Sequence, residues 1–395
     1  MSGPAEILVA GHISLDLRPE LRNGLAALHP GRLVPVGPMF ATCGGAVFNT
    51  GVALHRLGIR TRLAGKLGQD MFGSVALKLI AEFGEDLADS IIVAADGRTS
   101  YSIILDSMVE DRMILHDPGA NATFALDDVP LHKLEGVKLL HFGYPPLLRR
   151  FYQDGGAQMA ALFKKAHSSG VATSLDMALV EPDTEAGLVD WRLYLERVLP
   201  EVDVFLPSFE EIFFMLRRER YLEFRRQNLR AVDALIDGCF LGELADELLS
   251  YGAAVVGIKL GERGLYVRTA SVPGKLSFLA KATGIDAEAW AGRELLAPCY
   301  VVPINGTTGA GDATIAGFLA GLLHGESAEE AAISAVAAGA CSVSGKDAVS
   351  AIPAWSELKR MMQTMERNAG SLTWPGWRME PGENVWRGPF CRGSF

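Results

Sequence analysis

Several of the patterns that most readily declare a function are missing from this chain. None of its five cysteines (Cys43, Cys239, Cys299, Cys341 and Cys391) stands in a CxxC pair, so neither a zinc site nor a disulfide framework is indicated. The eight histidines are dispersed and no HExxH occurs, which removes the usual zinc-hydrolase signature. No apolar run approaches a membrane span, and the N-terminus lacks a basic-then-apolar leader pattern. Positive charge is in deficit: 37 Lys and Arg stand against 47 Asp and Glu. The resulting formal charge of −10 disfavours nucleic acid or an anionic membrane as a main partner. These absences lead us to expect a cytoplasmic protein without nucleic-acid or membrane partners.

What is present is a chain of 395 residues, 49% apolar, long enough to bury a substantial core in one large α/β domain or two domains. Its most informative stretch is Asn305-Gly-Thr-Thr-Gly-Ala-Gly-Asp312. Gly309, Ala310 and Gly311 carry no bulky side chains, so their backbone N–H groups can close on an anion. The apolar run from Ala313 to Leu323 reads as a helix, whose N-terminus adds partial positive charge at that spot. Asp312 falls in the first turn, where a carboxylate suits removal of a hydroxyl proton during attack on a phosphoryl group. A plain Gly-rich loop ahead of a helix-start Asp is the competing interpretation of the octet. Two better-known phosphate motifs do not fit. Asp312-Ala313 replaces the Lys-Ser/Thr of a Walker A loop, and Thr314 stands where a dinucleotide fingerprint needs a small residue.

Short apolar strands alternate with helical patterns. Strands are predicted at 6–10, 62–65, 137–142, 171–175, 202–206 and 253–259, with short extended pieces such as 32–36. Helices are predicted over 50–57, from Gln69-Asp70 through Phe83, and over 328–344, the last buried throughout. Segments 100–106 and 112–116 read as paired strands joined by an acidic turn. A hairpin-like region runs from Gly264 to near Ile304, with an insertion around 274–295. The charged run 217–231 suits a solvated helix or insertion, because acidic residues are interleaved with its arginines. From Leu372 the tail is rich in Trp, Pro and Gly and shows no periodicity. This rhythm predicts an α/β, doubly wound, mostly parallel sheet with helices on both faces.

The order of these motifs resembles the PfkB (ribokinase-like) family of carbohydrate kinases over roughly residues 5–368. The matching blocks are Gly44-Gly45…Asn49 with Leu57-Gly58, Gly65-Lys-Leu-Gly68-Gln-Asp70…Gly73, and Gly309-Ala-Gly-Asp312. Gly261-Glu-Arg-Gly264 is a third, weaker match. The resemblance implies a kinase domain over 1–370 with a small β lid from segments 12–41 and 98–117, followed by an irregular tail over 371–395. It implies ATP-dependent, Mg²⁺-assisted phosphorylation of a sugar, sugar acid or related alcohol, with Asp312 as base and the backbone of Gly309, Ala310, Gly311 and Asp312 as anion hole. Asp16, Gly44, Gly45 and Asn49 would hold the acceptor. Lys259, Gly261, Gly264 and Thr308 would contact the nucleotide, residues 337–340 would border the adenine, and Glu211 would act indirectly on Mg²⁺. Any homodimer would form through the exposed β face of the lid.

Three departures narrow the likeness. Gly306 replaces an Asp that helps hold a monovalent cation in many members, Ser208 replaces the Asn of an Asn-x-x-Glu motif ending at Glu211, and Asp176-Met-Ala-Leu-Val180 lacks an expected Asn and Arg. Two other readings therefore stay open. One is a nucleoside kinase of the same family, with Phe40, Phe48 and Tyr101 lining a larger pocket. The other is a non-catalytic ligand-binding protein that retains the fold.

Overall fold

The computed structural model describes residues 3–21, 24–25, 28–105, 113–227, 229–368, 372–379 and 383–391. Its centre is a nine-stranded sheet. In spatial order the strands are Thr61–Ala64, Ile7–Gly11, Leu139–Gly143, Ala172–Leu175, Val204–Phe205, Val255–Lys259, Leu265–Thr269, Glu294–Ala297 and Trp386–Arg387. The first six run parallel and the last three antiparallel. Burial on both faces explains why these strands read as continuous apolar runs. Side chains alternate between two cores: Ile7 and Val9 enter one, Leu8 and Ala10 the other. The first core is covered by the helices Ala46–Arg56, Ala310–Leu323 and Ala328–Ser344, the second by Ala157–Ser168, Trp191–Val198, Phe209–Leu216 and Gly238–Tyr251.

The helix that begins in the glycine loop is fixed by close packing. A side chain at Gly317 would stand 2.5 Å from the Ser334 carbonyl oxygen, and one at Gly321 would stand 2.9 Å from Ala331 Cα. Small residues at this seam let Ala310–Leu323 lie directly on Ala328–Ser344. At the other side of the site, the Ala46–Arg56 helix starts over the end of a strand, where a Cβ at Gly143 would overlap Ala46 Cβ at 2.0 Å.

A separate four-stranded sheet, in the order Met39–Gly44, Ser14–Pro19, Tyr101–Leu105 and Met113–Asp117, stands where the lid is expected. Residues 32–36 lie in an irregular stretch; the strand begins at Met39 and runs three residues past the predicted lid boundary. The acidic turn predicted after residue 105 falls outside the described residues. Asp70 caps the helix Met71–Ala81 through the Gly73 N–H at 2.7 Å and also accepts from the Thr99 N–H at 2.7 Å. That one carboxylate ties the motif around Gly68 to the base of the lid.

The hairpin-like region is the antiparallel pair Leu265–Thr269 and Glu294–Ala297, which ends a few residues earlier than expected. The segment inserted between these strands carries the helices Pro273–Thr283 and Ala287–Trp290, which bury Leu276, Leu279 and Trp290 in the first core. Within the charged run, the surface helix Arg218–Arg226 pairs Arg225 with Glu181 at 2.7 Å, in line with a solvated face. The tail is irregular over most of its described length, yet Trp386–Arg387 completes the sheet edge and Trp377 and Cys391 are buried.

Candidate active site

Four parallel strands deliver polar residues at or just past their carboxyl ends. His12 follows Ile7–Gly11, Tyr144 follows Leu139–Gly143, Asp176 follows Ala172–Leu175, and Lys259 ends Val255–Lys259. Ligands of open α/β sheets settle on this edge, where strand ends and helix N-termini converge. The glycine loop closes the edge. Gly309 caps the Ala310–Leu323 helix in the left-handed conformation, with φ 78°, and a Cβ there would lie 2.2 Å from Ala348 Cβ. Both facts require glycine. The first helical bond runs from the Ala313 N–H to the Gly309 carbonyl at 2.8 Å, so the N–H groups of the preceding turn precede the intrahelical ladder. Gly311 differs, because a Cβ there would only touch the Lys259 side chain at 3.7–3.8 Å. Glycine at 311 preserves space between the backbone and the ammonium group.

Asp312 is 3% exposed, and its carboxylate is fully engaged. Oδ1 accepts from the Thr50 hydroxyl at 3.2 Å, Oδ2 accepts from Asn49 Nδ2 at 3.0 Å, and the Tyr144 hydroxyl lies 2.8 Å from both oxygens. Burial pushes the Asp312 carboxyl above the usual range; Lys259 and the three donors oppose that rise. Lys259 Nζ meets Asp176 Oδ1 at 2.7 Å in a nearly dry setting, with Asp176 1% exposed. Burial alone would lower the Lys259 pKa, but Asp176, Glu211 and Asp312 raise it, so the ammonium stays charged.

A cavity of about 920 Å³ opens in front of Asp312. Of the predicted residues, Asp16, Gly45, Asn49, Thr308, Gly309 and Asp312 line it. Gly44 lies beneath Asp16, where a Cβ would come within 2.1 Å of Asp16 Oδ2. Two buried polar groups at this cavity lack partners among the described residues: Asn49 Oδ1 and both ring nitrogens of His12. Burial, and then His116, lowers the His12 pKa to about 3, so its imidazole is neutral at physiological pH. Apolar side chains in the lining include Ile104, Ile114, Leu147, Leu179 and Val180, interspersed with polar residues such as Arg149, Glu181 and Glu185.

Other predicted positions stand elsewhere. Gly261 and Gly264, with φ of 60° and 104°, form the turn between Val255–Lys259 and Leu265–Thr269, outside the cavity lining. Glu211 Oε2 accepts the Ser208 N–H at 2.6 Å, closing a capping box at the Phe209–Leu216 helix. Residues 337–340 lie in the Ala328–Ser344 helix, with Ala337, Ala338 and Ala340 in the first core. Phe40, Phe48 and Tyr101 do not line the cavity: Phe40 is exposed on the lid and Phe48 packs against Phe83.

Sequence reading missed three contributors. His12 and Tyr144 line the cavity, and Arg18 reaches from the lid to the Thr308 hydroxyl at 3.3 Å. Arg18 lies two residues after Asp16, so strand periodicity places it on the same face. Tyr144 is the one non-glycine residue with positive φ among the described residues, at 63°, held between Gly143 and Pro145-Pro146. A left-handed tyrosine costs on the order of 1–2 kcal/mol, and such strain concentrates at functional positions.

The fold is a doubly wound, mostly parallel α/β sheet with a smaller four-stranded sheet beside its strand-end cavity. The family model for pfkB family carbohydrate kinases matches residues 5–355, and the chain belongs to that family. It is similar to an uncharacterized sugar kinase of Archaeoglobus fulgidus, with 28% identity over 71% of this chain and 89% of that one. A probable fructokinase of Arabidopsis thaliana is 24% identical, over 82% of this chain and 89% of the relative. The structure of Arabidopsis thaliana ribokinase complexed with ribose and ATP superposes with a TM-score of 0.65 at 19% identity, covering 91% of this chain and 99% of that one. The protein is a carbohydrate kinase.

Proposed function

We propose that this kinase transfers the γ-phosphoryl group of ATP to a hydroxyl of a small, uncharged sugar. The observation that carries the reading is the meeting of Asp312, the unpartnered Asn49 Oδ1 and the Gly309 helix N-terminus at one cavity. Asn49 Oδ1 and Asp16 would accept from sugar hydroxyls, and the reacting hydroxyl would give its proton to Asp312 as its oxygen attacks phosphorus. The first-turn N–H groups, the Lys259 ammonium beside Gly311, and Arg18 at Thr308 would bear the charge of the transferred phosphoryl oxygens. Mg²⁺ would be carried in with the nucleotide and would supply charge neutralisation on its phosphates, and Glu211 would be the carboxylate that acts on it indirectly. The described residues hold no cluster of three acidic, histidine or cysteine side chains for a protein-only metal cage.

Cavity chemistry favours a neutral acceptor over a sugar acid. His12 is uncharged, no lysine lines the cavity among the described residues, and its lining arginine, Arg149, is already bonded to Glu185 at 3.0 Å. Apolar residues in the lining support a second reading, a nucleoside whose base would lie against Ile104 and Ile114. Measuring ADP release from MgATP across neutral sugars, sugar acids and nucleosides tests both. Turnover confined to sugar acids would overturn the neutral-acceptor assignment, and no turnover with any alcohol would overturn the transfer reaction. Homodimer formation through the lid is supported by exposed Met39, Met113 and Leu115 on its edge strands. Sedimentation of the protein, and of a variant with Met39 and Leu115 replaced by lysine, tests it.

A further inference from the structure

An ionised carboxylate offers about four lone-pair sites, and three donors crowd Asp312: Thr50 on Oδ1, Asn49 on Oδ2, and the Tyr144 hydroxyl 2.8 Å from both oxygens. An acceptor hydroxyl that hands its proton to Asp312 must take one of these places. Asn49 and Thr50 belong to the buried face of the Ala46–Arg56 helix and cannot withdraw without unpacking it. Tyr144 instead lines the cavity on a loop, in a conformation tyrosine rarely adopts. Its hydroxyl is an alcohol-like O–H aimed at the base, and its single proton is shared between two oxygens. It stands where the acceptor's hydroxyl has to be.

We infer that Tyr144 is a positioning residue that fills the acceptor's seat at Asp312 and keeps water from the base until an acceptor displaces it. The inference rests on the phosphotransfer reading above. A kinase that binds ATP before its acceptor faces a competing reaction. A water oxygen attacks the γ-phosphorus, the bond from that phosphorus to the bridging oxygen breaks, ADP leaves with the electron pair, and the base takes the water's proton. The products are ADP and inorganic phosphate. With the Tyr144 hydroxyl oxygen 2.8 Å from both carboxylate oxygens, a water cannot take that same position against the base. Pro145-Pro146 limit how far the backbone can move, so displacement by an acceptor falls to the Tyr144 side chain.

Tyr144→Phe removes the hydroxyl and keeps the ring, leaving room at Asp312 for one water. Tyr144→Gly adopts the positive φ without strain and opens the seat further. Inorganic phosphate released from MgATP without acceptor is expected to rise about tenfold or more in Tyr144→Phe and further in Tyr144→Gly, while sugar phosphorylation persists. Unchanged or slower acceptor-free hydrolysis in both variants would overturn the inference. So would loss of all turnover in Tyr144→Phe, which would make the hydroxyl part of the chemistry itself. A purely structural tyrosine would lower both reactions in proportion. The phosphotransfer reading fails separately: it falls if Asp312→Asn still phosphorylates the acceptor, whatever the Tyr144 variants do.

Discussion

Removing the Lys259 ammonium separates the stability of the site from its chemistry. Lys259→Met keeps most of the side-chain volume but leaves Asp176 buried, with its Oδ2 already unpartnered. Breaking a buried pair from one side costs about 3–5 kcal/mol. The lower end applies here, because burial pushes the Asp176 carboxyl well up and it takes a proton rather than remain charged. For a chain of this size about 3 kcal/mol lowers Tm by roughly 3–5 °C. Adding Asp176→Asn removes the stranded carboxyl and should restore most of that loss. Turnover should not return with stability, since the positive charge beside Gly311 is still missing. Loss of one preorganised charge-stabilising donor is worth about 10²–10³-fold in rate. Calorimetry and ADP release on the single and double variants measure both quantities. A double variant that regains turnover along with Tm would refute the idea that Lys259 acts on the phosphoryl group, and a Lys259→Met protein as stable as the parent would refute the pairing energetics.

Other expectations follow from the same geometry. Asn49→Ala should raise KM for the acceptor more than for ATP and also lower kcat, because Asn49 both offers Oδ1 and donates to Asp312; a change confined to the ATP KM would contradict this. Gly309→Ala should destabilise the protein by about 1–2 kcal/mol through its left-handed φ and its clash with Ala348, whereas Gly311→Val should fold normally and lose turnover more than acceptor affinity; normal turnover in Gly311→Val would count against the anion hole. The acid limb of kcat/KM should lie above the ordinary carboxylate range, since burial raises the Asp312 carboxyl and activity needs it ionised. By the same shift, the folded protein binds that proton more readily than the unfolded chain. Asp312 therefore withdraws stability as pH rises from the unfolded carboxylate range through its folded value. A pH–rate profile and a pH series of Tm check the two signs.

Much of the fold was legible because parallel strands buried on both faces read as unbroken apolar runs, and the 137–142, 171–175 and 253–259 expectations fall on observed strands. The 274–295 segment was legible only as an insertion, because its apolar positions, Leu276, Leu279 and Trp290, make sense only once the sheet they cover is known. In the site, Asp312 and Gly309 announced themselves through a local motif. Tyr144, His12 and Arg18 did not: each carries an ordinary residue type, and each acquires meaning from partners far along the chain. The Tyr144 hydroxyl meets a carboxylate 168 residues away, and Arg18 meets Thr308 across 290. Phe40 failed for another reason: it pairs with Arg18 and so shares the site-facing side of that sheet, yet it stands beyond the cavity lining and stays exposed.

Turnover of Asp312→Asn with its best acceptor tests the central claim most directly. Asparagine keeps the shape and buries no charge, so Tm should stay within about 2 °C and ATP affinity should be unchanged. The account predicts that phosphotransfer falls by about 10²–10⁴-fold, the usual worth of a general base. Turnover near that of the parent protein would show that Asp312 only starts its helix, and would contradict the mechanism.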